Sequence, residues 1–253
     1  MHPAAAPRSS LRLLPLLALL ATGCTREAAP RQSGPQPLGP AGAPASVFPA
    51  PARPVADIVT DTWSDEASRD DAGEAEQVMR LLEIGPTMTV ADIGAGSGYY
   101  TVRLSPRVGA SGRVIAQDIV PRYLERLDAR VREAGLPNAT LALGEPHDPR
   151  LRRASVDRAL LVHMYHEVEQ PYAFLYNLRP ALRPGARVGV VDLDRPTNRH
   201  GTPPALLRCE FAATGYREVA FHPLASGSGY LAVFEATDDQ PPTPETIRAC
   251  PAR

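Results

Sequence analysis

The 253-residue chain predicts an α/β fold, a doubly wound and mostly parallel seven-stranded sheet that ends in an antiparallel hairpin. Three observations predict it. Between about Asp57 and Ala236, short apolar runs alternate with stretches of helical period, the pattern of parallel strands covered on both faces. A run at Thr87–Ile93 leads straight into Gly94, Gly96 and Gly98, which let a strand reverse tightly into a helix. Near the C-terminus, Tyr216–His222 and Gly229–Glu235 are joined by only a short turn, and short turns make antiparallel pairs.

The elements follow in order. Glu74–Glu83 carries Ala75, Val78, Met79 and Leu82 on one face and reads as a lead-in helix before the first strand. Ser97–Val108 is the first crossover helix, and Arg113–Gln117 is the second strand, ending at Asp118. Pro121 then opens a helix with Leu124, Leu127 and Val131 as its buried stripe and Gly135 as its stop. Thr140–Leu143, Val156–Val162 and Ala186–Leu193 supply strands three to five. A helix from Pro171 to about Leu182 precedes the last of these, with Pro180 expected to kink or shorten it. A helix over Pro203–Thr214 leads to the hairpin.

The ends read differently. Arg8 and Arg12 precede the apolar run Leu13–Ala21, far shorter than the roughly twenty residues a spanning helix needs, so residues 1–23 read as a signal peptide. The run closes in Leu20-Ala21-Thr22-Gly23-Cys24, which resembles a bacterial lipobox and implies lipidation of Cys24. A plain secretory signal is the alternative, and either one exports the protein. The expected location is periplasmic, with the membrane reached through the lipid anchor. Residues 24–56, rich in Pro and Ala, predict an extended tether without a core. Residues 57–236 form the folded domain, and residues 237–253, with Pro241, Pro242 and Pro244, predict an unfolded tail. Cys209 and Cys250 form an even pair in an oxidising compartment and either bridge or remain two thiols. A net charge of −1 with interspersed signs argues against a nucleic-acid partner. All 27 basic residues are Arg, which excludes a lysine Schiff base and a phosphate-binding lysine.

The glycine turn has the form Asp92-x-Gly94-x-Gly96-x-Gly98. Its third glycine arrives one residue earlier than in the dinucleotide pattern G-x-G-x-x-G, where Tyr99 now stands. Asp118, at the carboxyl end of the second strand, is placed to accept both hydrogen bonds of a ribose diol, or else to cap the helix opened by Pro121. Gly144-Glu145 ends the third strand, where an acidic residue reads by itself as a solvated loop carboxylate. His163, Tyr165, His166 and Glu167 fall at the end of the fourth strand, on the rim where open α/β sheets hold ligands. The run His163-Met164-Tyr165-His166-Glu167 has neither the H-E-x-x-H nor the H-x-x-E-H spacing, so no metal is expected.

From about Trp63 to Phe234 the chain resembles the class I S-adenosylmethionine (SAM) dependent methyltransferases. The resemblance is carried by Asp92-x-Gly94-x-Gly96-x-Gly98, by Val156-Asp157-Arg158-Ala159-Leu160 and by Leu182-Arg183-Pro184-Gly185, in that order. It implies SAM as cofactor, cradled by Asp92, Gly94, Gly96 and Gly98, with Asp118 on the ribose, Glu145 on the adenine amino group and His163 beside the donor. It also implies a small-molecule or lipid methyl acceptor. Trp63 and Tyr165 are the expected contacts to it, Trp63 alternatively closing the core edge, and His166 is the expected general base where the acceptor carries a proton. Two other functions fit the residues: an exported nucleoside- or SAM-binding protein without transfer, and an NAD-dependent oxidoreductase, which Tyr99 and the terminal hairpin disfavour.

Overall fold

A computed structural model of the chain describes residues 1–2, 34–58, 66–237 and 240–251; Cys24 and Trp63 lie outside the described residues. Seven strands form one sheet: β1 (Thr89–Ile93), β2 (Arg113–Asp118), β3 (Ala139–Leu143), β4 (Val156–Val162), β5 (Leu182–Asp192), β6 (Tyr216–Pro223) and β7 (Tyr230–Ala236). Their order is β3-β2-β1-β4-β5-β7-β6. β3 through β5 are parallel, and β7 enters antiparallel between β5 and β6. The predicted doubly wound sheet with its closing hairpin is the observed one.

Alternation along the strands places the two hydrophobic layers. Successive β2 residues point to opposite faces, so Val114 and Ala116 pack with one set of helices while Ile115 joins the other layer. The first face carries α2 (Glu74–Leu81), α3 (Tyr99–Val108) and α4 (Pro121–Glu133), and the second carries α5 (Pro171–Leu178) and α6 (Pro204–Ala213). A short α1 (Glu66–Asp71) precedes α2. Pro180 does stop its helix, which passes into a 3-10 turn at Arg179–Ala181 because proline offers no amide to continue the ladder.

The two proline-rich ends depart from expectation. Within the predicted tether, residues 34–56 lie along the domain instead of standing off it. Leu38 and Gly39 donate backbone hydrogen bonds to Arg150, and the Gly42 amide reaches the Asp148 carboxylate at 2.7 Å. Phe48 is buried against Tyr176 with ring centroids 5.2 Å apart. Arg53 enters the interior, where its Nε lies 2.9 Å from Glu210, and both side chains are 1% exposed. The predicted tail likewise docks. Ile247 is buried, the Cys250 amide donates to the Tyr172 hydroxyl at 2.6 Å, and Cys250 is joined to Cys209. Ala52 and Pro251 form a backbone bridge between the two segments. Composition led the sequence reading to overlook this because neither segment has helix or strand periodicity. A few isolated side chains hold them, and prolines have little backbone freedom to lose. No helix of the described residues is long and apolar enough to cross a membrane.

Candidate functional site

The carboxyl ends of β1, β2 and β4 meet at the glycine turn. Gly94, Gly96 and Gly98 all take positive φ, at 68°, 52° and 87°. A Cβ on Gly94 would stand 2.9 Å from Met164, and one on Gly98 would stand 2.3 Å from Leu127, so the turn needs glycine for space as well as for conformation. The Gly96 amide donates to Asp118 Oδ2 at 2.9 Å, and Asp118 Oδ1 accepts from the Val120 amide at 2.9 Å. Asp118 is therefore both the start of the α4 approach and the anchor of the glycine turn. The Ile119 amide bonds the same carboxylate, and of its four acceptor sites one remains for a further donor.

Two clefts flank the turn and share Gly94, Met164 and Glu167, making one trough across the sheet's edge. One half lies between Asp118, Ile119, Glu145, Pro146 and Phe174 and has largely apolar walls. The other is polar, with Asp92, Arg69, Tyr100 and His163 in its walls. Asp92 is buried and accepts from the Thr101 hydroxyl at 2.6 Å. Burial raises its pKa to about 6 against the opposing pull of the Thr101 hydroxyl and Arg69, with the Asp118 charge adding to the rise. A carboxylate left this short of compensation favours a cationic ligand group beside it.

The polar half is roofed by α1. Glu66 pairs with Arg130 at 2.6 Å, Tyr99 donates to Asp70 at 2.8 Å, and the Arg69 guanidinium stacks 3.8 Å from the Tyr99 ring centroid. Arg69 also pairs with Glu74, whose other oxygen lies 3.1 Å from His163 Nε2. Burial would raise the Glu74 pKa, but the His163 ring and Arg69 outweigh it and hold the carboxyl down at about 2. The sequence reading had Glu74 only as a helix start. Its role shows through contacts 89 residues apart, for which local pattern carries no signal.

After β4 the backbone turns sharply, with His163 at φ 51°, and enters a 3-10 turn at Tyr165–Glu167. This turn separates neighbours. His166 and Glu167 line the trough, while Tyr165 points inward, is 0% exposed and donates to Glu210 at 2.8 Å. The expectation that Tyr165 touches an acceptor is thus corrected: a side chain sealed in the core among Phe211 and Arg53 reaches no ligand. His166 is also buried, and its Nδ1 lies 3.1 Å from both oxygens of Asp192 at the end of β5. Glu145 lines the apolar half, where Arg150 pairs with its carboxylate. Among the described residues, His166, Glu167 and His200 bring ligand atoms within 4.8 Å of one another. A scan for contiguous motifs missed this group because His200 arrives from the loop after β5.

Residues 90–185 match the model of a methyltransferase domain. This span holds the glycine turn, Asp118, Glu145 and the His163–Glu167 turn. Over 126 residues the chain is 29% identical to a 2-phytyl-1,4-naphtoquinone methyltransferase from Trichormus variabilis, covering 49% of this chain and 55% of that protein. Over 112 residues it is 29% identical to a tRNA (adenine(58)-N(1))-methyltransferase from Thermus thermophilus, covering 44% of this chain and 42% of that one. The chain thus spans about half the length of these curated relatives. A solved SAM-dependent methyltransferase from Aquifex aeolicus superposes with a TM-score of 0.59 at 22% identity, over 68% of this chain and 97% of that one, and shares the fold. The domain match and the methyltransferase fold indicate SAM as the cofactor. The trough fits it in kind, with Gly94 where a Cβ would crowd Met164 of the wall, a strand-end carboxylate with an acceptor site to spare, and a buried acidic group facing the polar half.

Proposed function

We propose that the chain is an exported SAM-dependent methyltransferase acting on a small-molecule or lipid acceptor. The observation that carries this reading is the Gly96–Asp118 hydrogen bond at the centre of a trough with one apolar and one polar half. Asp118 would hold the ribose hydroxyls and Glu145 the base amino group, while Asp92 and His163 would receive the methionine end, whose positive charges would offset the buried Asp92 carboxylate. Gly94, where a Cβ would meet Met164 of the trough wall, keeps the floor low enough for this approach.

SAM supplies an electrophilic methyl on a sulfonium. The residues of the chain hold the acceptor in line with it and keep water out, and alignment of this kind supplies most of the acceleration. The roof formed by α1 and its ion pairs serves that exclusion. Export through residues 1–23 and anchoring through Cys24 remain part of the proposal. The Cys209–Cys250 disulfide supports an oxidising compartment.

Calorimetric titration of the full chain with SAM and with NAD tests the cofactor. Binding of SAM at least tenfold tighter than NAD is expected, with loss of SAM binding when Gly96→Ala and Asp118→Asn are combined. Equal affinity for both nucleotides, or a double variant that binds SAM as the parent does, sinks the reading.

A further inference from the structure

We infer that His166, Glu167 and His200 form a binding site for a divalent first-row transition cation, Zn²⁺ by preference, at the edge of the trough. Two imidazoles and one carboxylate are the ligand set of many mononuclear sites for such ions, whereas Mg²⁺ and Ca²⁺ favour oxygen alone. The three ligand atoms already lie within 4.8 Å of one another. Ligands about 2.1 Å from a common ion stand about 3–4 Å apart, so small side-chain rotations close the set.

The surroundings of His166 are those of a metal ligand. Asp192 is fully buried and accepts from the Leu193 amide at 2.8 Å and from the Thr202 hydroxyl at 2.6 Å. Held in that way, its carboxylate takes the Nδ1 proton of His166 as a hydrogen bond and leaves Nε2 as the ligating atom. A carboxylate that fixes the tautomer and ring plane of a metal-bound imidazole is the recurrent supporting shell of such sites. The His166 and His200 rings stand nearly perpendicular with centroids 5.4 Å apart. His200 adopts φ 54°, a left-handed conformation uncommon outside glycine, at the point where the loop turns it toward His166.

The docked N-terminal segment braces both halves of the site. The Ala56 amide donates to the His166 carbonyl at 3.2 Å, and Thr197, three residues before His200, donates its hydroxyl to the Pro54 carbonyl at 2.6 Å. Metal binding itself needs no cofactor. Its catalytic use rests on the methyltransferase reading above, because His166 and Glu167 also line the trough that holds Gly94 and Met164. There, the ion would lower the pKa of an acceptor hydroxyl bound to it, and the proton would pass to water as the acceptor enters, before water is excluded. The bound oxygen would then take the SAM methyl as the carbon–sulfur bond breaks, the electron pair returning to sulfur to leave a neutral thioether. His166 is then a ligand, and the acceptor needs no protein base.

The test is Co²⁺ titration of chelator-treated full chain lacking any polyhistidine tag, read by visible d–d absorption and by bound metal per chain. One equivalent is expected, with His200→Ala and Glu167→Gln each weakening Co²⁺ at least tenfold, and Asp192→Asn weakening it about 10–100-fold. An unchanged SAM titration of His200→Ala, a residue that lines neither half of the trough, and unchanged melting temperatures of His200→Ala and the near-isosteric Glu167→Gln in metal-free buffer separate loss of a ligand from loss of fold. Absence of the bands in the parent chain overturns the site, as does their survival in the His200→Ala, Glu167→Gln double variant. A parent chain that binds Co²⁺ but not SAM overturns only the methyltransferase reading.

Discussion

Asp118 and Gly96 are joined by a 2.9 Å hydrogen bond from the glycine amide to the carboxylate, so the group at the end of β2 also sets the shape of the turn after β1. The other carboxylate oxygen accepts from the Val120 amide, and an asparagine in this place must turn its amide nitrogen toward one of the two donors. Asp118→Asn is therefore expected to raise the SAM dissociation constant about 10–100-fold, corresponding to about 1–3 kcal/mol. Isothermal calorimetry checks it, and an affinity within a factor of two of the parent refutes the coupling.

Gly98 precedes α3 at φ 87°, with Leu127 of α4 where a Cβ would go. Gly98→Ala combines left-handed strain of about 1–2 kcal/mol with displacement of a fully buried leucine. A fall in melting temperature of several degrees is expected, whereas Gly135→Ala, at φ 62° but with open space around its Cβ position, loses only the strain.

Asp92 and Glu74 give opposite pH dependences. The Asp92 pKa is raised to about 6, so the carboxylate form opposes folding, and its cost grows as pH rises from the unfolded value of 3.8 through about 6. A cationic ligand end beside it favours that same ionised form. SAM affinity is thus expected to increase as pH rises through about 6, and Asp92→Asn to abolish that dependence while leaving the melting temperature at pH 7.5 equal or higher. Affinity that is flat between pH 5 and pH 7 (about one unit either side of the raised pKa) contradicts this assignment.

Glu74, held at about 2, contributes stability that is complete above its unfolded value of 4.5 and is lost as pH falls from there toward about 2. The shift is worth on the order of 3 kcal/mol for a side chain this deeply buried. Glu74→Gln removes that part of the acid sensitivity, which pH-dependent thermal unfolding measures.

The Cys209–Cys250 bridge spans a sequence separation of 41 residues. Closing such a loop restrains the unfolded chain by about 3–4 kcal/mol. Cys250→Ser, or reduction of the parent protein, is expected to lower the melting temperature and to expose the Ile247 segment to protease. Identical melting curves with and without reductant count against it.

How much of this was legible in the sequence depends on the range over which each feature is encoded. Strands β1 to β7 and the Gly94–Gly96–Gly98 turn were readable because apolar periodicity and glycine spacing are local. So was Asp118, at the end of an obvious strand. Tyr165 and His166 were not separable, since only the 3-10 turn decides that one enters the core and the other the trough. Glu74, Asp192 and His200 acquire their roles from partners far away in the chain. The proline-rich ends misled because composition reports missing periodicity, while their docking rests on single anchors such as Phe48, Arg53 and Ile247.

The Arg53–Glu210 pair also decides where the chain can be cut. Glu210 accepts from Arg53 on one oxygen and from Tyr165 on the other, in a place where water does not reach. A fragment started at Asp57, the boundary composition suggests, would strand that carboxylate without its counter-charge, at a cost of about 3–5 kcal/mol. Designs meant for expression or fusion should therefore keep the chain from Gly34 onward, and a shorter version that fails to fold would be reporting a missing arginine and not a faulty domain.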